Sequence, residues 1–246
     1  MPRYILVHRT ASTNSYLSKM VMMLPGGTVI HTLEQTAGRG QKGNTWESET
    51  GKNVIFSMLI KNPSVPVANQ FYISEAVSVA IVEVLSQYID GFSIKWPNDI
   101  YHGDRKVCGI LIEHSIMGAS INHSILGVGI NVNQVEFKSD APNPVSLAQL
   151  LGHEVDVDGV LHQVCEAIEK RCAFDAYTES AFEELHKEYL SLLYRKDDKY
   201  HCFVLPEGTE FGAKIVEVEP TGMLVLEREN GLQEKFAFKE VGFVIR

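Results

Sequence analysis

The 246-residue chain has little cysteine. Cys108, Cys165, Cys172 and Cys202 form no C-x-x-C pair and no Cys/His spacing of the metal-binding kind. That usage excludes a disulfide scaffold and a zinc ribbon, and it is what reduced thiols in a cytoplasmic protein look like. No run of about 18 apolar residues is present, so no membrane span is expected. The first residues read as a short strand, Tyr4-Ile5-Leu6-Val7, without the apolar stretch and cleavage site of a signal peptide. A surplus of positive charge is also missing. Lys and Arg number 22 against 31 Asp and Glu, giving a net charge of −9, a poor composition for binding nucleic acid through its phosphates.

What remains is an ordinary globular composition, 45% hydrophobic and 22% charged, long enough for one large domain or for one average domain with a small appendage. Strands are expected around Val29 to Leu33 and Val54 to Ile60, then a helix from Ala68 to Ile89 with Ile73, Val77 and Ile81 on one face. Three strands should follow, Phe92 to Trp96, Cys108 to His114 and Ser124 to Asn131, the first two joined by a turn at His102-Gly103-Asp104. Helices are expected from Val145 to Leu151, capped by Gly152, from Val160 to Phe174, and from Ser180 to Leu193. From Lys199 onward the pattern is all β, with Asn230-Gly231 as a type I′ hairpin signal. The boundary is expected near Tyr194, dividing the chain into residues 1–194 and 195–246. In the tail, Tyr200, Phe203 and Phe243 are expected to be core.

Five segments carry chemistry. Gly38, Gly40 and Gly43, with Arg39 and Lys42 between them, make a loop able to wrap a nucleotide through backbone N–H groups and cations, and Trp46 offers a face for stacking an adenine. The literal G-x-G-x-x-G match lacks the following helix that a dinucleotide fold requires, and no G-K-[ST] closes it as a Walker loop. Lys95-Trp96-Pro97-Asn98-Asp99 places a cation, an amide and a carboxylate at a strand end. Asp99 is suited to Mg²⁺, though the same residues also suit a plain hairpin turn. Lys106 precedes an apolar run containing Gly109, and is either a solvated strand end or a cation aimed into a cleft. Gly127 and Gly129 leave one strand face bare, and Asn131 beyond them has an amide able to read an adenine edge. Ser12-Thr13-Asn14 suits a helix N-cap or a polar cup.

In this order and spacing, the five segments resemble the catalytic domain of biotin protein ligases over the whole chain. The resemblance implies an α+β fold: a mixed β-sheet with helices on one side, shared with lipoate ligases, plus a small C-terminal SH3-like β-barrel. It implies a ligase that activates biotin with ATP to biotinyl-AMP and passes it to a lysine of a biotin carboxyl carrier domain, as in acetyl-CoA carboxylase. Ser12, Thr13 and Gln35 would meet the ureido ring, with Asn14, Gly38, Gly40 and Gln41 nearby, and Gly109, Gly127 and Gly129 would shape the pocket. Arg39 and Lys42 would meet carboxylate and phosphates, Trp46 and Asn131 the adenine, and Lys106 the biotin carboxylate. Asp99, with Lys95 and Asn98, would organise Mg²⁺ and phosphate.

Gln41 and Asn44 stand where such loops often carry arginine, so the loop is less basic here. Only eleven residues precede Ser12, too few for the helix-turn-helix domain of the repressor-type relatives, so no sequence-specific DNA binding is expected. A homodimer through a sheet edge is compatible with the resemblance. A lipoate or octanoate enzyme of the same fold and a non-catalytic biotin-binding module remain as alternatives.

Overall fold

The computed structural model describes residues 1–138 and 143–245, without the side chain of Lys42. The first part of the chain runs β1 (Arg3–Leu6), β2 (Arg9–Thr10), α1 (Thr13–Ser18), β3 (Thr28–His31), β4 (Glu34–Gln35), β5 (Gly38–Arg39), β6 (Thr45–Trp46), β7 (Val54–Lys61), α2 (Phe71–Leu85), β8 (Phe92–Lys95), β9 (Asp99–His102), β10 (Arg105–Met117) and β11 (Ser120–Ile130). Three helices follow: α3 (Leu147–Leu151), α4 (Val157–Arg171) and α5 (Glu179–Ser191). Last come β12 (His201–Val204), β13 (Glu210–Val218), β14 (Leu224–Arg228), β15 (Gln233–Phe236) and β16 (Gly242–Phe243).

Seven strands pair in the order β1-β3-β7-β11-β10-β9-β8, parallel between β1 and β3 and antiparallel elsewhere. Strand alternation sorts the two faces. Val29, Phe56, Met58, Leu126, Val128 and Ile130 point to one face and pack under α2, whose Ile73, Val77, Ala80 and Ile81 are fully buried. α4 and α5 cover α2, and Arg171 at the end of α4 ties the layer together through Glu83 of α2 at 2.9 Å and Glu188 of α5 at 2.5 Å. The mixed sheet with its helical layer is the expected architecture. The short α1 packs on the opposite face, over Ile30, Leu59 and Ile125.

The helix ends follow their sequence signals. Ser12 caps α1 by accepting from the Ser15 N–H, Ser146 and Gln149 form a reciprocal capping box on α3, and Gly152 ends α3 at φ 80°.

Two local expectations need correction. Asp99–His102 is a strand of its own, so the His102-Gly103-Asp104 turn joins β9 to β10 and not the first two expected strands. With four residues and polar side chains at both ends, β9 has too little apolar pattern to stand out. The Asn230-Gly231 turn is not type I′, because Gly231 has positive φ and Asn230 does not. The Gly231 N–H bonds to Arg228 O and the Arg228 N–H to Leu232 O, a three-residue loop with glycine in the left-handed position.

The tail is a five-stranded antiparallel sheet ordered β15-β14-β13-β12-β16 around Phe203, Ile215, Leu224 and Leu226. It docks on the first part of the chain around Gly222 and again through Phe238 against Trp96 and Phe243 against Tyr194. The Trp96 indole N–H donates to Gly222 O at 3.0 Å, Phe71 packs against Gly222, and His186 of α5 bridges Glu75 of α2 and Glu217 of β13 at 2.8 Å each. Among the described residues no helix is long and apolar enough to cross a membrane.

Candidate active site

The face of the sheet away from α2 carries a cleft of ≈ 870 Å³. Its floor follows from the strand register. Gly109 pairs with Gly129, Leu111 with Gly127, and Gly127 in turn with Ser57 on β7, so small residues from three adjacent strands share one face. A Cβ on Gly129 would lie 2.4 Å from Trp46 Cε2, and one on Gly109 would lie 2.8 Å from Trp46 Cζ3. The flat group on the bare floor is thus the protein's own indole, delivered by the β5–β6 hairpin, in which Gly38 pairs with Trp46. The Trp46 indole nitrogen is buried and meets no acceptor among the described residues.

At one end of the cleft, α1 presents its first turn. The Thr13 backbone N–H donates to Gln35 Oε1 at 3.0 Å, Ser57 Oγ donates to Asn14 Oδ1 at 2.5 Å, and Ser12, Thr13 and Asn14 are all nearly fully buried. The N-cap reading of this segment holds, and Ser12, Thr13 and Asn14 also line this end of the cleft.

At the other end stand the charges. Lys106 Nζ lies 2.7 Å from Asp99 Oδ1 and 5.7 Å from the Trp46 ring centre. The β8–β9 turn brings Lys95, Asn98 and Asp99 together, with Asn98 donating to Ile110 O at 2.6 Å. Burial lowers the Lys95 ammonium pKa and Asp99 partly offsets this; the ammonium lies 4.8 Å from the Phe243 ring centre and 5.3 Å from that of Tyr101. Arg39 reaches across to Glu113 at 2.9 Å. The charged residues among the described lining residues are the cations Arg39, Lys95, Lys106 and Lys239 and the single carboxylate of Asp99. An acidic chain has thus gathered a locally cationic cleft, where low dielectric walls strengthen each charge.

Most residues singled out from the sequence meet here. Ser12, Thr13, Asn14, Gln35, Arg39, Gly40, Gln41 and Trp46 line the cleft, as do Lys95, Asn98, Asp99, Lys106, Gly109, Gly127 and Gly129. Gly38 lies just behind, where a Cβ would come within 2.6 Å of Gln35 Nε2. The side chain of Lys42 lies outside the described residues. Asn131 is not at the cleft: it is 3% exposed, and its amide donates to Val145 O at 3.3 Å.

Sequence reasoning missed one wall. Val204, Leu205, Pro206, Phe238, Lys239 and Phe243 of the C-terminal sheet complete the cleft. Phe203 is core as expected, but Phe243 faces Lys95 and Tyr200 is exposed. No local signal in the tail marks these residues, because their role comes from docking against Trp96. Ser57 and Glu113 were also missed, Ser57 as a single polar residue inside an apolar strand and Glu113 as the start of the polar Glu113-His114-Ser115 stretch of β10.

The comparisons agree with this geometry. The bifunctional ligase/repressor BirA of Bacillus subtilis is 29% identical over 219 residues, which are 87% of this chain and 65% of that protein; the chain thus spans less than two thirds of that relative. The biotin–[acetyl-CoA-carboxylase] ligase of Paracoccus denitrificans is 27% identical over 237 residues, 93% of this chain and 95% of that protein. The structure of the Aquifex aeolicus biotin protein ligase in complex with biotin and ATP superposes with a TM-score of 0.79 at 25% identity, covering 98% of both chains. The model of the biotin/lipoate A/B protein ligase family matches residues 6–131, a span that holds the cleft floor, the α1 cup, the β5–β6 hairpin and the Lys106–Asp99 pair. The chain belongs to the biotin/lipoate A/B protein ligase family.

Proposed function

We propose that the protein is a biotin protein ligase, which activates biotin with ATP and transfers it to a lysine ε-amine on the biotin carboxyl carrier domain of a carboxylase such as acetyl-CoA carboxylase. The observation that carries the reading is the layout of one cleft: a polar cup at the buried Thr13 and the half-buried Gln35, an aromatic ring on a glycine floor, and cations at the far end. That order matches a molecule with a hydrogen-bonding head, an apolar chain and a carboxylate to be joined to a nucleotide. Residues 1–194 would form the catalytic unit, with residues 195–246 closing the cleft from the side.

In the first half-reaction, a biotin carboxylate oxygen attacks the α-phosphorus of ATP, the bond to the β-phosphate oxygen breaks, and pyrophosphate leaves. Both reactants are anionic, so Lys106 and Arg39 offset their repulsion and stabilise charge that develops on the phosphoryl oxygens. Trp46, whose N–H meets no acceptor among the described residues, stacks the adenine or covers the acyl chain. Asn131 would need to turn its amide from Val145 O to reach a base. A magnesium ion, held at Asp99 beside Lys95 and Asn98, would offset phosphate charge during the attack. Asp99, the one carboxylate among the described lining residues, suffices for an ion that draws most of its ligands from phosphates and water. In the second half-reaction, a neutral lysine amine attacks the activated carbonyl, AMP leaves, and an amide forms. Excluding water matters here, because the mixed anhydride is readily hydrolysed.

Biotin-dependent exchange of labelled pyrophosphate into ATP, with Mg²⁺, tests this. Exchange with biotin and none with lipoate is expected. Exchange with lipoate alone would replace the reading by a lipoate ligase, and tight biotin binding without exchange would reduce it to a binding module.

A further inference from the structure

Glu113 stands on β10, on the same face as Gly109 and Leu111. Its Oε2 accepts two hydrogen bonds, from Asn14 Nδ2 at 2.7 Å and from Arg39 Nη2 at 2.9 Å. A carboxylate only accepts, so it dictates which end of the Asn14 amide faces it. The second Asn14 N–H bonds Leu111 O at 3.3 Å, and Asn14 Oδ1, which has no hydrogen, takes the Ser57 hydroxyl proton at 2.5 Å.

Ser57 Oγ also lies 2.8 Å from Thr13 Oγ1. A hydroxyl has one hydrogen, and that of Ser57 is committed to Asn14. The hydrogen between Ser57 and Thr13 must then come from Thr13. The alternative acceptor for Thr13, Gln35 Oε1, is farther away at 3.4 Å. Thr13 Oγ1 is left with lone pairs and no proton for the cleft it lines. Ser57, Asn14 and Thr13 are between 0% and 3% exposed, so water does not scramble this order. Were the Asn14 amide reversed, its NH₂ would donate to Ser57, the relay would run the other way, and Thr13 would offer a donor instead.

We propose that Glu113 is a positioning residue that sets the donor–acceptor polarity of the Asn14–Ser57–Thr13 relay, so that Thr13 selects an acyl acid whose head group carries an N–H, such as a cyclic urea, over one with none, such as a dithiolane. The proposal rests on the biotin-ligase reading and extends it to a residue outside the cleft lining. Selectivity of this kind is steep, because a buried group built to pair with a ligand donor is left unsatisfied by a ligand that lacks it.

The test is a double-mutant cycle on the full chain, Glu113→Gln against Thr13→Val. Dissociation constants are measured by calorimetry for biotin, for biotin methylated on the ureido nitrogens, and for ATP. Glu113→Gln is expected to weaken biotin about tenfold or more and to shrink the penalty for N-methylation. On that background Thr13→Val should add less than about twofold, because both act on one hydrogen bond. Additive effects, or unchanged biotin affinity in Glu113→Gln, overturn the proposal while leaving the ligase reading intact. Absence of biotin binding by the wild-type chain overturns both. Ser57→Ala breaks the relay at its middle without touching Arg39, and is expected to couple to Thr13→Val in the same way. It decides the matter if Glu113→Gln does not fold, and additivity there is equally fatal.

Discussion

Lys106 and Asp99 form an ion pair at 2.7 Å between neighbouring strands, each less than a quarter exposed. Before substrate arrives, each is the other's counter-charge, so the lysine is held straight above the floor instead of sampling solvent. Lys106→Ala should lower kcat/KM for pyrophosphate exchange by about 10²–10³, the loss typical of one preorganised charge in a closed site. It also leaves Asp99 as an uncompensated carboxylate facing an anionic substrate. Adding Asp99→Asn should therefore restore part of the biotin affinity but not the turnover. Binding and exchange measured on both variants check this.

Gly129→Ala should move Trp46. The new methyl would sit 2.4 Å from the indole, and the backbone of a paired central strand cannot yield as far as a hairpin side chain can. We expect a stability loss of about 1 kcal/mol, within the range for overpacking, and a more than tenfold fall in exchange activity. The chain has two tryptophans, and Trp96 is buried under the C-terminal sheet. A red shift of emission in the Gly129→Ala variant thus reports Trp46 leaving the floor. Unchanged emission would contradict the placement.

His186 joins three elements, and its pH dependence has a definite sign. Hydrogen bonding to Glu75 is the largest cause, and with Glu217 it raises the imidazole from 6.5 to about 9 against the cost of burial. Burial pushes the Glu75 carboxyl up while the ring pulls it down; with carboxylates at 2.8 Å on both ring nitrogens, the charged ring is the consistent state. A group raised in the folded state contributes stability that is complete below its unfolded value, near pH 6.5, and lost as pH climbs through about 9. Denaturant titration should show wild type losing about 2 kcal/mol between pH 6.5 and 10, and His186→Gln losing much less. Parallel pH profiles would exclude the charged bridge.

Gly222 has φ 90°, and a Cβ there would lie 2.8 Å from Phe71. Gly222→Val meets both backbone strain and a clash at a contact that docks the C-terminal sheet. The cost should be about 2–4 kcal/mol. Because Phe238 and Phe243 form a wall of the cleft, KM for ATP or biotin should rise in the variant before the catalytic half unfolds. Kinetics at denaturant concentrations below the transition would show whether this happens.

The parts of this molecule legible in sequence are those encoded locally. The α2 pattern, the capping residues Ser12, Ser146 and Gly152, and the glycine pairs on β10 and β11 each state their role within a few neighbours. Lys106 does not: read locally it suits a solvated strand end as well as a cleft cation, and its pairing with Asp99 of β9 distinguishes the two. What escaped the sequence depends on partners distant along the chain. Glu113 acquires meaning from Asn14 and Arg39, 99 and 74 residues away, and Phe243 from Lys95. Asn131 shows the reverse error: its position at a strand end beside two glycines suggested a cleft residue, whereas β11 ends there and the amide turns in to Val145. The Asn230-Gly231 loop misled because one dipeptide serves two turn geometries, and the φ of Asn230 decides between them.

A floor made by leaving side chains out constrains how such a site can drift over generations. At positions 109, 127 and 129, every substitution takes space away, and none returns it. New acyl acids must therefore be accommodated from the rim, through Thr13, Gln35 and the residues that orient them. The floor acts as a ratchet: once a lineage fills it, room returns only by the reverse mutation or by sacrificing Trp46 or Asn14, the side chains that lie against these glycines.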